Sequence, residues 1–309
     1  MMELAWLEDF LALAECLNFS RAAERRNMTQ PAFSRRVRAF ELWMGVPLFD
    51  RGSHRIALTA AGAQFQPVAQ DILRRLYQGR QEALDAQSLA SSLRFVSTFA
   101  LSLTFFPAWM RKLEETMALG PVELIADNMQ ACETIMLSGQ AQFLLCHYHP
   151  AASHKLDSQD FLSTPLGQDI LMPLTVASDD GAPQFSLPGT PSEPVPHLAY
   201  SERSGIGRIL AAVRANEAPP VWLKPVFTSH LAIALKTMAG DGRGVGWIPA
   251  SLAADDLVPK GRLVPAGDER WNIAIEIRLF RPRARQSERA ENFWAALTRT
   301  REPEDFRGN

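Results

Sequence analysis

Eight arginines lie between Ser20 and Arg55, at positions 21, 25, 26, 35, 36, 38, 51 and 55, without a lysine and opposed only by Glu24, Glu41 and Asp50. A guanidinium offers a planar fork of donors that fits phosphate oxygens or guanine O6 and N7. Gln30 stands among them, and a carboxamide can pair with adenine N6 and N7. Ser20, Thr29 and Ser34 add hydroxyls suited to phosphate or base edges. The whole chain carries a net charge of −2, so this basic segment is joined to a body that is acidic on balance. Such chemistry suits double-stranded DNA: phosphate contacts set position and base-edge contacts set sequence preference.

Elements must hold these groups on one surface. Trp6, Leu7, Phe10, Leu11, Leu13, Ala14 and Leu17 recur at helical spacing between Glu8, Asp9 and Glu15, which predicts an amphipathic helix closed by Asn18-Phe19. Ser20 is placed as the N-cap of a short second helix, Arg21 to Arg26, whose Ala22 and Ala23 allow close packing. Thr29 is placed as the cap of a third, from Pro31 to Trp43, with the proline in its first turn. Ala32, Phe33, Val37, Phe40 and Met44 would face inward, leaving Gln30, Ser34, Arg35 and Arg38 outside. Two short helices across a tight turn form a helix-turn-helix whose second helix can enter a major groove. Asp50 to Arg55 then reads as a basic wing tip before the strand Ile56 to Leu58. Thr59 caps a long helix, Ala60 to Gln87; about 28 residues make it roughly 42 Å long. Its apolar Phe65, Val68, Ile72, Leu73, Leu76 and Leu84 predict a linker that pairs with a second copy.

Phe10-Leu11-Ala12-Leu13-Ala14, Asn18 to Ala23, Thr29 to Arg38, Leu48 to Arg51 and Leu58 to Gly62, in that order, closely resemble the LysR-type transcriptional regulators. The likeness runs without a gap over about the first 65 residues; Phe40 stands where the family usually has leucine, a change of little volume. It implies homodimers, often paired as homotetramers, on an imperfect palindromic operator near a promoter and within reach of RNA polymerase. It also implies a periplasmic-binding-protein-like effector domain. Carried over by position, Gln30, Pro31, Ser34 and Arg35 would meet base edges, and Ser20, Arg21, Thr29, Arg38, Arg51 and Arg55 would lie at phosphates.

Beyond Leu93 short apolar strands alternate with amphipathic helices: Arg94–Thr98, Phe105–Glu115, Val122–Ala126, Met129–Leu137 and Phe143–Cys146. A proline-rich stretch, Pro183 to Pro196, separates these from a second series at His197–Tyr200, Gly205–Asn216, Val221–Thr228, Leu231–Ala239, Gly244–Ile248, Ile273–Phe280 and Glu288–Arg299. This is an α/β pattern with a largely parallel sheet, and two such lobes make a clamshell with a ligand in its crevice. Stretches at Thr98 to Leu103, Tyr200 to Ser204 and Gly242 to Pro249 are similar to the hypochlorite-responsive branch of the LysR family. Candidate effector contacts are Thr98, Ala100, Leu101, Ser102, Asp127, His147, Ser201, Arg203, Ser204, Thr228, Ser229, His230 and Trp247. Their hydroxyls, helix starts and arginine favour a small carboxylate or similar anion, although serine and threonine occur at helix starts as caps in any case.

The expected organisation of the 309 residues is an all-α winged helix-turn-helix domain over 1–60, a linker helix over 61–90 and an α/β two-lobed effector domain over 91–309. Neither metal nor cofactor is expected: His147 and His149 lack an evident third ligand. Cys16, Cys132 and Cys146 are too few and too far apart for a disulfide framework, which fits a reducing compartment; Cys132 looks the least constrained of the three. The ten methionines are scattered without a poised pair. An acidic N-terminus and the lack of a long apolar run suggest a cytoplasmic protein without a membrane segment. No nucleophile elbow, phosphate-cradling loop or His/Glu zinc motif supports an enzyme. The competing reading is a DNA-binding regulator with no small-molecule effector, controlled by its abundance or by redox chemistry.

Overall fold

The computed structural model describes residues 2–52, 56–87, 92–153, 155–156, 160–216, 220–258 and 261–299. The chain divides into two compact units, Met1–Gln87 with Leu137–Gln140, and Ser88–Met136 with Ala141–Asn309.

In the first unit, α1 (Leu4–Cys16), α2 (Phe19–Arg25) and α3 (Gln30–Met44) precede a two-stranded ribbon, β1 (Phe49–Asp50) and β2 (Ala57–Leu58), and α4 (Ala60–Gln87). Phe10 is the hub of the core, with ring centroids 6.0 Å from Phe40, 5.5 Å from Phe49 and 5.4 Å from Phe65. Phe33, Val37 and Phe40 supply the buried face of α3. The second helix starts earlier than expected. Asn18, not Ser20, is its cap, because Asn18 stays extended and its Oδ1 accepts the Arg21 N–H at 3.0 Å; Ser20 lies exposed in the first turn. Thr29 holds the N-cap position of α3, but its side chain makes no capping bond. Thr59 does cap α4: its Oγ1 accepts the Gly62 N–H at 3.0 Å and donates to the Pro47 carbonyl at 2.8 Å. Gly62 must be glycine, since a Cβ there would collide with the Leu48 carbonyl. The apolar residues of α4 serve two faces. Phe65, Ala69 and Leu73 pack into the core, while Val68, Ile72 and Leu76 are exposed. The wing tip, Ser53 to Arg55, and the Leu84 side chain lie outside the described residues.

In the second unit, β3 (Leu93–Thr98), α5 (Phe99–Leu103), α6 (Phe106–Glu114), β4 (Val122–Asp127), α7 (Met129–Leu137) and β5 (Phe143–Tyr148) form the first lobe. There follow β6 (Phe161–Val176), β7 (Val195–Tyr200), α8 (Gly205–Asn216), β8 (Leu223–Ser229), α9 (Ala232–Gly240), β9 (Gly246–Pro249), β10 (Leu263–Pro265), β11 (Ile273–Pro282) and α10 (Glu288–Arg299). The sheet is mixed where the sequence suggested a largely parallel one. Its order is β10-β6-β11-β5-β3-β4 with β9 also on β6; β3 is parallel to β4 and β5, and β11 runs antiparallel to both β5 and β6. The long β6 and β11 pass from lobe to lobe, so each serves two cores. Leu166, Ile277 and Leu279 join Phe95, Trp109, Phe143 and Phe293 in the first, and Leu171, Leu174 and Ile275 join Leu198, Leu235, Trp247 and Ile248 in the second. Pro165 is tolerated in β6 because it lies where the pairing register with β11 shifts, at Ile277/Arg278.

Candidate nucleic-acid interface and effector crevice

The α3 periodicity that buries Phe33, Val37 and Phe40 turns Gln30, Pro31, Arg35 and Arg38 to solvent, with Ser34 half-buried beside them. Ser20, Arg21 and Thr29, on the preceding helix and turn, are exposed as well. The arginines divide into two groups. Arg26 bonds Asp9 at 2.9 Å and Glu8 at 2.5 Å, Arg36 pairs with the other Asp9 oxygen at 2.6 Å, and Arg25 pairs with Glu15. Arg51 pairs with Glu41 at 2.5 Å and lies 5.4 Å from the centre of the Phe19 ring. The same Glu41 accepts the Leu48 and Phe49 N–H groups at 2.9 and 3.0 Å, so Arg51 braces the base of the wing. Arg21, Arg35 and Arg38 have no side-chain partner among the described residues, which leaves their forks available. Arg55 lies outside the described residues.

In the second unit a crevice with a cavity volume of about 20 Å³ opens between the lobes. Thr98, Phe99, Ala100, Asp127, Asn128, Met129 and His147 line it from the first lobe, and Ser204, Gly205, Ile206, His230 and Ala232 from the second. Thr98, Ala100, Asp127, His147, Ser204 and His230 therefore meet as the sequence suggested. Leu101 does not, being fully buried in the first core, and Ser102 Oγ bonds back to the Phe99 carbonyl at 2.8 Å. Trp247 is a core residue of the second lobe, its Nε1 donating to the Trp271 carbonyl at 3.0 Å. Ser201, Arg203, Thr228 and Ser229 also fall outside the lining: Ser229 Oγ accepts the Leu231 N–H at 3.1 Å, and Arg203 and Thr228 face solvent. Sequence reasoning missed Phe99, Asn128, Met129, Gly205, Ile206 and Ala232. Asn128 carried a usable signal, an Asx residue between a strand and a helix; its Oδ1 accepts the Ala131 N–H at 3.2 Å.

The polar groups of the crevice are partly committed. Asp127 Oδ1 accepts from the Asn128 N–H at 2.7 Å and from Asn128 Nδ2 at 2.8 Å. Ser204 Oγ accepts the Gly207 N–H at 3.3 Å and so caps α8. His147 Nε2 lies 3.6 Å from Asp169 Oδ2, which accepts the Ser251 hydroxyl at 2.5 Å. Burial acts to raise the Asp169 carboxyl, but the neighbouring His147 imidazole and the bond from Ser251 outweigh it and hold the group below the ordinary value. Thr98 Oγ1 is buried without a hydrogen-bond partner among the described residues. A latch closes the lobes nearby. Glu133 of α7, fully buried, accepts from Arg208 Nη1 of α8 at 2.7 Å, and the Phe99 and His230 rings approach to 5.9 Å.

Among the described residues no three His, Cys, Asp or Glu side chains converge on a metal position. Cys132, which looked least constrained, is fully buried; its thiol donates to the Ser97 and Asp127 carbonyls, and burial pushes it up to about 12. Cys146 is buried and Cys16 half-buried. No helix among the described residues is long and apolar enough to cross a membrane.

Comparison with known proteins agrees with this architecture. The profile "Bacterial regulatory helix-turn-helix protein, lysR family" matches residues 4–63, and "LysR substrate binding domain" matches residues 86–302. The HTH-type transcriptional regulator YjiE of Escherichia coli K12 is 29% identical over 303 residues, 96% of this chain and 94% of that protein. Full-length HypT of Salmonella typhimurium, described as a hypochlorite-specific LysR-type regulator, is 27% identical, with a TM-score of 0.58 over 97% of this chain and 99% of that one. DarR of Vibrio fischeri, solved with DNA, is 28% identical with a TM-score of 0.55, covering 96% of this chain and 98% of its own. With the second profile alone spanning more than half of its length, the chain belongs to the LysR family of DNA-binding transcriptional regulators.

Proposed function

We propose that this regulator binds an imperfect palindrome as a homodimer or homotetramer, with Gln30, Pro31, Ser34 and Arg35 at base edges and Ser20, Arg21, Thr29, Arg38, Arg51 and Arg55 at phosphates. It acts in the cytoplasm, where its DNA target is, and contacts RNA polymerase at the promoter; its relatives are regulators, and no catalytic role is assigned. The working division is a DNA-binding domain over 1–60, a linker over 61–90 and an effector domain over 91–309. The observation that carries this reading is the contrast among the arginines: Arg25, Arg26 and Arg36 are ion-paired to carboxylates of α1, while Arg35 and Arg38 stand unpaired among the described residues on the exposed face of α3, and Arg51, though paired with Glu41, keeps 30% of its side chain exposed toward solvent.

The test is a pair of variants assayed on an operator selected from random duplexes and on bulk DNA. Arg35→Ala should weaken operator binding by about 1–3 kcal/mol, roughly 5- to 150-fold, with little change on bulk DNA. Arg38→Ala should weaken both alike and reduce the salt dependence. Identical behaviour of the two variants on both DNAs would overturn the assignment.

For the input we propose a small polar ligand in the crevice, held by Thr98, Asp127, His147, Ser204 and His230. Thermal-shift screening of the full chain with carboxylates, amino acids and oxidants tests it; stabilisation by none, with DNA binding intact, would favour control by abundance. A redox reading has its own support. HypT is described as hypochlorite-specific, and the oxidisable thioether of Met129 lines this crevice. Met129 is only 1% exposed with the lobes closed, so this reading predicts that hypochlorite converts it to the sulfoxide faster in Arg208→Gln than in the wild type, read by peptide mass spectrometry.

A further inference from the structure

A half-buried arginine with one nitrogen shut from solvent and no partner for it among the described residues marks a second place in this domain. Arg214, in the last turn of α8, lays its guanidinium 4.2 Å from the centre of the Trp247 ring. His197 of β7 meets the same indole edge-on, with centroids 5.8 Å apart. Arg214 Nη2 and His197 Nε2 are both shut away from solvent, and neither has a hydrogen-bond partner among the described residues. His197 is only 8% exposed.

The backbone builds this corner. Val245 N–H donates to the Pro196 carbonyl at 2.8 Å, and Leu198 N–H donates to the Val245 carbonyl at 2.9 Å. Gly244, at φ +154°, comes so near β7 that a Cβ would press into the Pro196 backbone. The indole is fixed by its Nε1, which donates to the Trp271 carbonyl, and the Trp247 backbone by the Tyr200 hydroxyl, which donates to its carbonyl at 2.9 Å.

A guanidinium nitrogen shut from solvent without an acceptor is costly, and a cation–π contact offsets only part of that cost. The end of α8 favours a cation through the helix dipole but gives Nη2 no acceptor. Burial lowers Arg214 to about 10, and burial together with the Arg214 charge lowers His197 to about 4, so near neutral pH the corner holds one positive charge and a neutral imidazole. One charge and two orphaned nitrogens against an apolar wall suit a monovalent acceptor.

We propose that Arg214 and His197 form a binding site for a small monovalent inorganic anion, of the size of chloride or nitrate, in the second lobe and apart from the crevice. Arg214 Nη2 and the His197 Nε2–H tautomer donate to it, and Trp247 forms the wall. Ser204, Gly205 and Ile206 line the crevice at the other end of α8, so the anion would steady the helix that carries them.

The test is thermal unfolding of the full-length protein while sodium gluconate, a bulky organic anion, is replaced by sodium chloride or nitrate at constant ionic strength. The melting temperature should rise and saturate in the wild type, and Arg214→Met should lose the saturable rise. Lys112→Ala, which removes an exposed cation of α6, should keep it. His197→Phe should shift the half-saturating concentration upward by about tenfold, the scale of one lost hydrogen bond. A rise that never saturates, no rise at all, or an equal rise in Arg214→Met would overturn the proposal. Should Arg214→Met fail to fold, bromide anomalous diffraction from wild-type crystals at the half-saturating concentration decides: a peak against Arg214 and His197 supports the site, and no peak overturns it.

Discussion

A cluster of basic residues in a sequence does not say which of them are free to bind. Here four of the seven described arginines of the segment are tied to carboxylates. Two of those share Asp9, which sits 17 and 27 positions away in the chain, so no local pattern could show the pairing. The helical period of Phe33, Val37 and Phe40, by contrast, already fixed which α3 residues face outward. The crevice was half legible for the same reason. Polar Thr98, Asp127, His147, Ser204 and His230 stood out at strand ends and helix starts, whereas Met129 and Ile206 are of a type that also fills cores. His197 gives a residue-scale prediction. Its folded pKa of about 4 lies below the ordinary 6.5, so the unfolded chain binds the extra proton between those values. Its contribution to stability should be complete above about pH 6.5 and decline by roughly 2–3 kcal/mol as the pH falls toward 4. Denaturant unfolding in gluconate buffer checks this: His197→Phe should flatten that slope, and an unchanged slope would assign the acid sensitivity elsewhere.

At the scale of elements, the helices of the first unit were nearly legible because each carries its own period, and the misplaced cap shows where legibility stops. Ser20 and Asn18 are both good caps, and only the backbone turn at Leu17, with φ 46°, selects Asn18. The strand β6 was missed altogether. Pro165, Gly167 and Pro173 argue locally against a strand, yet pairing with β9, β10 and β11 along its length overrides them. The exposed row Val68, Ile72 and Leu76 on α4 belongs to this scale too. Each would be buried twice in a two-fold pair of copies, at about 1.5–3 kcal/mol per side chain. Leu76→Glu should therefore weaken self-association by roughly 100-fold or more while leaving the helix content unchanged. Sedimentation equilibrium with circular dichroism reads both, and an unaltered mass would place the contact between copies elsewhere.

At the scale of the effector domain as a whole, the ion pair between Glu133 and Arg208 joins α7 to α8 across the lobes. Removing the arginine takes the ion-pair partner from the buried Glu133 carboxylate and leaves it the Lys155 N–H at 3.2 Å, so Arg208→Gln should cost about 3–5 kcal/mol and speed hydrogen exchange in both helices. The double variant Glu133→Gln/Arg208→Gln should recover much of that loss, and additive effects of the two changes would mean that the pair holds nothing shut. Because the crevice of about 20 Å³ has room for little more than one water molecule, an incoming molecule has to wait for the lobes to part. Its observed rate of uptake should then level off with rising dose, and the plateau would be the frequency at which the clamshell yawns, a clock set by the protein and indifferent to the strength of the stimulus.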